Sequence, residues 1–167
     1  MKVVEIRALQ GANFWSKRPV VRMVVDLEDL AGRTTADIPE LADRLVALLP
    51  TLDEHRCSEG QRGGFMRTVR AGSPLPHVIE HLAIELQYLA YMDTTYCASF
   101  RTREPGVYQV VFEYWVEEAG IRGECSAICG MVRTADGAAL APHPDYAAEV
   151  ARASTRHLDA FMEVMTH

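Results

Sequence analysis

Two histidines and a glutamate are spaced so that they could hold and use a metal ion on one helix. His77 and His81 are four residues apart, and Glu80 directly precedes His81, giving the pattern H-x-x-E-H. On a helix, residues four apart share a face and lie about 6 Å apart along the axis. Two such imidazoles can bind one zinc ion at about 2.0–2.1 Å each. The pattern is the inverted form of a zinc-peptidase helix, and it predicts zinc as cofactor, His77 and His81 as ligands and Glu80 as catalytic base.

A third ligand has to come from another element, because catalytic zinc usually has three protein ligands and one open position. Glu113 is the first choice, since it is a charged residue inside the strongly apolar segment 110–114. His55 and Cys57 are the alternatives.

Glu85 is expected to support the site without binding the metal. It lies eight residues beyond His77, which is about 12 Å along one helix, so a single ion would not reach both residues together with His81. We therefore expect Glu85 to orient His81 by a hydrogen bond.

Four arginines are candidates for binding carboxylates of a substrate, since a guanidinium group can hold a carboxylate by two parallel hydrogen bonds. They lie in a glycine-rich stretch and beside a predicted turn at 104–106: Arg56, Arg62, Arg101 and Arg103. Ordinary solvated loops explain both stretches at least as well on the pattern alone.

The elements that must position these residues do not follow a regular βαβ alternation. Strands are predicted at 3–9, 20–27, 94–103 and 107–116, and helices before Pro50, up to Arg70, at 77–92, at 118–132 and at 145–165, with a loop at 134–144. This order predicts one α/β domain over 1–167, of the α+β kind. We expect a two-layer sandwich with helices packed on a mostly antiparallel sheet.

Composition narrows the function classes. The chain has 167 residues, 49% hydrophobic and 24% charged, with a net charge of −6, which is typical of one globular domain. The acidity argues against a nucleic-acid or membrane-surface partner. No apolar run reaches the length of a membrane span, and neither a signal peptide nor a disulfide framework is indicated, so the expected location is cytoplasmic.

Ten blocks of the sequence, in the same order, resemble the N-terminal domain of cyanophycin synthetases. The blocks are VEIRAL at 4–9, GANFWS at 11–16, RPV at 18–20, IP at 38–39, LLP at 48–50, EHRCS at 54–58, GGF at 63–65, HVIEHLAIELQ at 77–87, EPGVY at 104–108 and VVFEY at 110–114. The resemblance runs from residue 1 to about residue 120. The segment 92–100 departs from the family pattern, which puts the substrate-facing edge in question.

The resemblance implies two alternative functions. In the family this domain is associated with binding a polymer of aspartate that carries arginine side groups, and in some members it resembles a zinc metallopeptidase that cuts the polymer. The first expectation is therefore a hydrolase acting on cyanophycin or a related peptide or isopeptide, with His77 and His81 on zinc and Glu80 as base. The alternative is a non-catalytic polymer- or peptide-binding module that serves a separate ATP-grasp or Mur-type ligase. The presence of Glu80 beside the two histidines favours the enzyme. A homo-oligomer is compatible with the sequence, which does not define the oligomeric state.

Overall fold

The computed structural model describes residues 1–57, 60–89 and 94–115. Four strands form one antiparallel sheet in the order β1-β2-β4-β3: β1 is Lys2–Leu9, β2 Val20–Asp26, β3 Cys97–Arg101 and β4 Val107–Glu113. The predicted α+β sandwich with an antiparallel sheet is confirmed. The segments predicted at 118–132, 134–144 and 145–165 lie outside the described residues.

In the part of the chain that the structure describes, three helices pack on one side of this sheet: α1 is Leu41–Leu48, α2 Gly64–Gly72 and α3 Leu75–Leu89. Short 3-10 helices lie at Glu28–Leu30, Thr35–Asp37 and Pro50–Glu54. Pro50 cannot continue the hydrogen bonding of α1, and it opens the last of these short helices instead. In α3, Pro76 occupies the first turn, where a missing N–H has no intrahelical partner to lose. Within the described ranges, no helix is both long and apolar enough to cross a membrane.

The register of the two central strands decides which side chains face the helices. Val21 is paired with Phe112 and Met23 with Val110, and all four side chains belong to the hydrophobic core. The helix α3 packs against β3 and β4 on this face. Because successive strand residues point to opposite faces, Glu113 points away from the face that carries Phe112.

The turn between β3 and β4 depends on a glycine. Gly106 has φ +79°, and its carbonyl accepts a hydrogen bond of 2.9 Å from the Leu27 amide. A Cβ at Gly106 would lie 2.9 Å from the Cβ of Ala31. Gly106→Ala should therefore lower the free energy of unfolding by about 2–4 kcal/mol, from left-handed strain and overpacking together, as measured by denaturant unfolding.

Gly32 offers a matched control for that prediction. It has φ +81°, and a Cβ added there would meet nothing within 4 Å, so Gly32→Ala carries the backbone strain without the contact. We expect a loss of about 1–2 kcal/mol for Gly32→Ala, and partial recovery of Gly106→Ala when Ala31→Gly is added. Equal losses at the two glycines would contradict the role assigned to Ala31.

Candidate metal centre

The first turns of α3 meet the segment 50–57 at a cluster of nitrogen and sulfur donors. Cys57, His77 and His81 each offer one ligand atom, and these three atoms all lie within 4.8 Å of one another. Cys57 Sγ is 3.3 Å from His77 Nε2, and the two histidine rings have centroids 4.9 Å apart. The structure thus brings together both histidines of the sequence motif and one of the two alternative third ligands.

The donor set of this cluster fits zinc. Thiolate and imidazole ligands are typical of zinc, with bonds of about 2.3 and 2.0–2.1 Å, so a sulfur and a nitrogen on one tetrahedral ion lie about 3.5 Å apart. The observed 3.3 Å between Cys57 and His77 is close to that separation. Cys57 and His77 are half-buried, so solvent reaches the cluster. Three protein donors with an accessible fourth position are typical of a catalytic site, whereas structural zinc sites have four.

A buried serine, Ser73, forms a hydrogen bond with the His77 ring nitrogen that faces away from Cys57. Nδ1 of His77 lies 2.8 Å from the Ser73 hydroxyl, and Ser73 is fully buried. The Ser73 amide donates to Thr35 Oγ1 at 2.7 Å, and that hydroxyl donates to the Val69 carbonyl at 2.6 Å. This network fixes the ring so that Nε2 faces Cys57.

His81 is the most buried member of the cluster, at 8% exposure. Its ring stacks on Phe65 with centroids 3.8 Å apart, and its Nδ1 lies 2.9 Å from Nδ1 of His55. Burial lowers the pKa of His81 to about 3, and the positive charges that His55 and His77 can carry add to the effect. The imidazole is therefore neutral at physiological pH, which is the form that binds a metal.

Glu80 is half-buried on the side of α3 that faces β3. Burial raises the pKa of Glu80, and hydrogen bonds from Ser99 together with the charge of His77 offset part of that rise. Ser99 pairs with Val110 of β4, a core residue, and so points toward the helices. The carboxylate is thus held between helix and sheet, with a pKa displaced toward the range of a proton-transfer group.

Glu85 lies deeper, at 1% exposure. It accepts hydrogen bonds from Thr51 and from His55, whose Nε2 lies 2.6 Å from Oε2. The sequence predicted a direct bond from Glu85 to His81, but His55 lies between the two side chains and bonds to each of them. Glu85 therefore acts on His81 through His55.

Glu113 does not join the histidines, contrary to its place as first choice for the third ligand. It is 3% exposed and lies at the end of β4, where Ser16 and Thr95 donate hydrogen bonds to its carboxylate and Arg18 lies 3.9 Å away. The physical reason is strand alternation: Phe112 faces the helices, so Glu113 faces the other side. The charge inside the apolar strand is explained by its role in anchoring the loop before β2.

This anchoring predicts an acid-sensitive contribution to stability. Burial alone would raise the pKa of Glu113, but the hydrogen bonds from Ser16 and Thr95 and the charge of Arg18 hold it below the ordinary 4.5. A lowered pKa stabilises the fold above the unfolded value, and the contribution is lost as pH falls through the folded value. Glu113→Gln should therefore cost about 2–3 kcal/mol at pH 7, with a smaller cost below about pH 4.5, measured by urea unfolding. A cost that stays constant to about pH 3 would contradict this role.

The four arginines lie at the surface. Arg56 directly precedes Cys57, and Arg62 pairs with Glu54. Arg101 and Arg103 lie at the far end of β3 and in the turn after it. Arg101 shares a strand face with Ser99 two residues earlier, so it lies about 7 Å along the strand from the group that bonds Glu80.

The sequence favoured Glu113 over Cys57 as the third ligand. The feature that marks Cys57 in the structure is its backbone conformation. Its φ is +53°, an uncommon conformation for a residue other than glycine. Residues held in this region cluster at functional sites. The sequence alone does not reveal that conformation.

The fold and the cluster define an α+β domain with a Cys/His/His group at the start of its main helix. The chain belongs to the family described as the cyanophycin synthase-like N-terminal domain, which matches residues 22–132. It is 44% identical over 122 residues to the cyanophycin synthetase of Crocosphaera subtropica, 43% to that of Synechocystis sp. and 44% to that of Trichormus variabilis. Each match covers 72% of this chain and 14% of the relative, so the chain spans about one seventh of the length of these synthetases.

Proposed function

We propose that this domain is a zinc-dependent peptidase that hydrolyses cyanophycin or a related polymer of arginine and aspartate. The observation that carries the proposal is the convergence of the ligand atoms of Cys57, His77 and His81 within 4.8 Å, with both histidines on the helix that also carries Glu80. Membership in the cyanophycin synthetase N-terminal family supports the choice of polymer.

Each side chain of the site has a defined task under this proposal. Cys57, His77 and His81 would hold the ion, which when bound would lower the pKa of a water molecule and polarise the scissile carbonyl. Glu80 accepts the proton of the attacking water and passes it to the leaving amine. Ser99 keeps the Glu80 carboxylate in place through its hydrogen bonds.

Arg101 supplies a means of recognising the polymer. We assign its guanidinium, on the face of β3 that carries Ser99, to the binding of a substrate carboxylate. The net charge of −6 favours attraction of arginine-bearing side groups to the domain as a whole.

A second candidate function is a non-catalytic module that binds the polymer for a ligase. The observation that favours it is that the matched relatives are named synthetases, of which this chain corresponds to 14%. Under this alternative the Cys/His/His cluster is a structural element, and Glu80 has no chemical task.

Incubation of the zinc-loaded protein with cyanophycin separates the two functions. The peptidase should generate shorter chains on a denaturing gel and new amino groups in proportion, and cleavage should stop when a chelator removes the metal. Retention on immobilised cyanophycin with no new amino groups would overturn the peptidase and favour the binding module.

A further inference from the structure

A half-buried histidine, His55, and the buried Glu85 contact the Cys/His/His cluster through His81 without belonging to it. Glu85 Oε2 is 2.6 Å from His55 Nε2, and His55 Nδ1 is 2.9 Å from His81 Nδ1. Thr51 donates to the other carboxylate oxygen of Glu85, so both oxygens have partners. Glu85, His55 and His81 thus form a hydrogen-bonded chain that ends on His81.

The direction of the hydrogen bonds in this chain follows from the chemistry of its members. An ionised carboxylate only accepts, so the proton between Glu85 and His55 belongs to His55 Nε2. Only one of the two facing Nδ1 atoms can donate the proton between them. An imidazole binds a metal through an unprotonated nitrogen, so a metal-binding Nε2 on His81 requires that this proton belong to His81 Nδ1.

The opposite arrangement would disable the site. If His55 donated from Nδ1, His81 would accept there and carry its own proton on Nε2, where it could not bind a metal. Metal-binding histidines commonly donate their second ring N–H to a neighbouring acceptor, which fixes both tautomer and orientation. Ser73 offers His77 the same arrangement on the other side, with Nδ1 bonded at 2.8 Å and Nε2 facing Cys57.

We infer that His55 is a positioning residue for His81: with Glu85 it fixes the tautomer in which His81 Nε2 is the metal-binding atom. His55 acts as an acceptor toward His81 and is not a ligand. The pair also joins two elements, because His55 follows the 3-10 helix Pro50–Glu54 while Glu85 and His81 lie on α3. Cys57 lies two residues after His55, so the same contacts position the sulfur donor. The inference rests on the metal centre in the proposed function.

One test needs neither metal nor variants. Long-range ¹H–¹⁵N correlation spectra of the zinc-free protein at pH 7 report the tautomer of each histidine. We expect His81 with its proton on Nδ1 and His55 with its proton on Nε2. A spectrum with the His81 proton on Nε2 would overturn the inference.

A second test measures zinc affinity by competition with a chromophoric chelator. His55→Leu removes the acceptor and should weaken zinc binding 10–100-fold, whereas His55→Asn keeps an acceptor oxygen near the position of Nδ1 and should recover part of the loss. Asp53→Asn, an exposed change on the same 3-10 helix, should bind zinc like the wild type.

A cobalt-substituted sample distinguishes positioning from ligation. The thiolate-to-cobalt absorption band should persist in His55→Leu with unchanged d–d intensity, because the ligands are the same. Wild-type zinc affinity in His55→Leu, or a changed coordination number, would overturn the positioning role alone. A wild-type protein that binds no zinc would instead refute the metal centre of the proposed function. The tautomer spectrum would still show whether His81 donates its Nδ1 proton to His55.

Discussion

Replacing Glu80 by glutamine is expected to slow cleavage of cyanophycin by a factor of about 10²–10⁴, the range lost when a general base is removed. The amide is nearly the same size and can keep a hydrogen bond with Ser99, so the helix and its neighbours should be undisturbed. The amide cannot accept a proton from water at neutral pH. Initial rates of amino-group release by the zinc-loaded variant and wild type measure the effect.

Two controls make this result specific to the chemistry. Glu104→Gln, at an exposed position in the turn between β3 and β4, should cleave at the wild-type rate. Zinc affinity of Glu80→Gln should match the wild type, since Glu80 is not among the three donors. A Glu80→Gln variant as active as the wild type would remove the carboxylate from the mechanism.

Replacing Cys57 by alanine is expected to weaken zinc binding more than about 100-fold, beyond the loss typical of a supporting residue. The change removes one of three donors and the only sulfur in the cluster. The fold should tolerate it, because Cys57 is half-buried at the edge of the core. Chelator competition gives the affinity, and circular dichroism checks the fold.

Cys97→Ala is the matched control for this variant. Cys97 is also a half-buried cysteine that packs against the core, but it lies in β3 outside the donor cluster. Its removal should leave zinc affinity unchanged. Equal zinc affinity in Cys57→Ala and wild type would contradict the assignment of Cys57 as a ligand.

The helix that carries the motif was predictable from local pattern. Val78, Ile79, Leu82 and Leu86 recur at helical spacing and are buried, as expected from the sequence. The same periodicity placed His77 and His81 on one face. That face is partly covered, because His55 and Phe65 contact His81 and bury it. Periodicity along one helix carries no information about what packs on its polar side.

The misplacement of Glu113 has a comparable physical cause. In β4, Val110 and Phe112 lie on one face and Val111 and Glu113 on the other, and all four are buried. Since both faces of the strand are buried, alternation of polarity cannot show which one meets the helices. The pairing of Phe112 with Val21 in the core settles the question, and it is a non-local contact.

The place of Cys57 was equally beyond local pattern. Its sulfur approaches His77 because the 3-10 helix after α1 turns the chain back over α3 and the backbone at Cys57 takes a left-handed conformation. The 2.6 Å contact between Glu85 and His55 attaches the segment 50–57 to α3. The Cys57–His77 and His55–Glu85 contacts join residues 20 and 30 positions apart, which local pattern does not reveal.

Zinc K-edge X-ray absorption on the purified, zinc-loaded protein tests the metal centre most directly. We expect one sulfur at about 2.3 Å from Cys57 and imidazole nitrogens at about 2.0–2.1 Å from His77 and His81, with one light-atom position left for solvent or substrate. A shell without sulfur, or one filled by four protein ligands, would contradict a catalytic Cys/His/His centre in this domain.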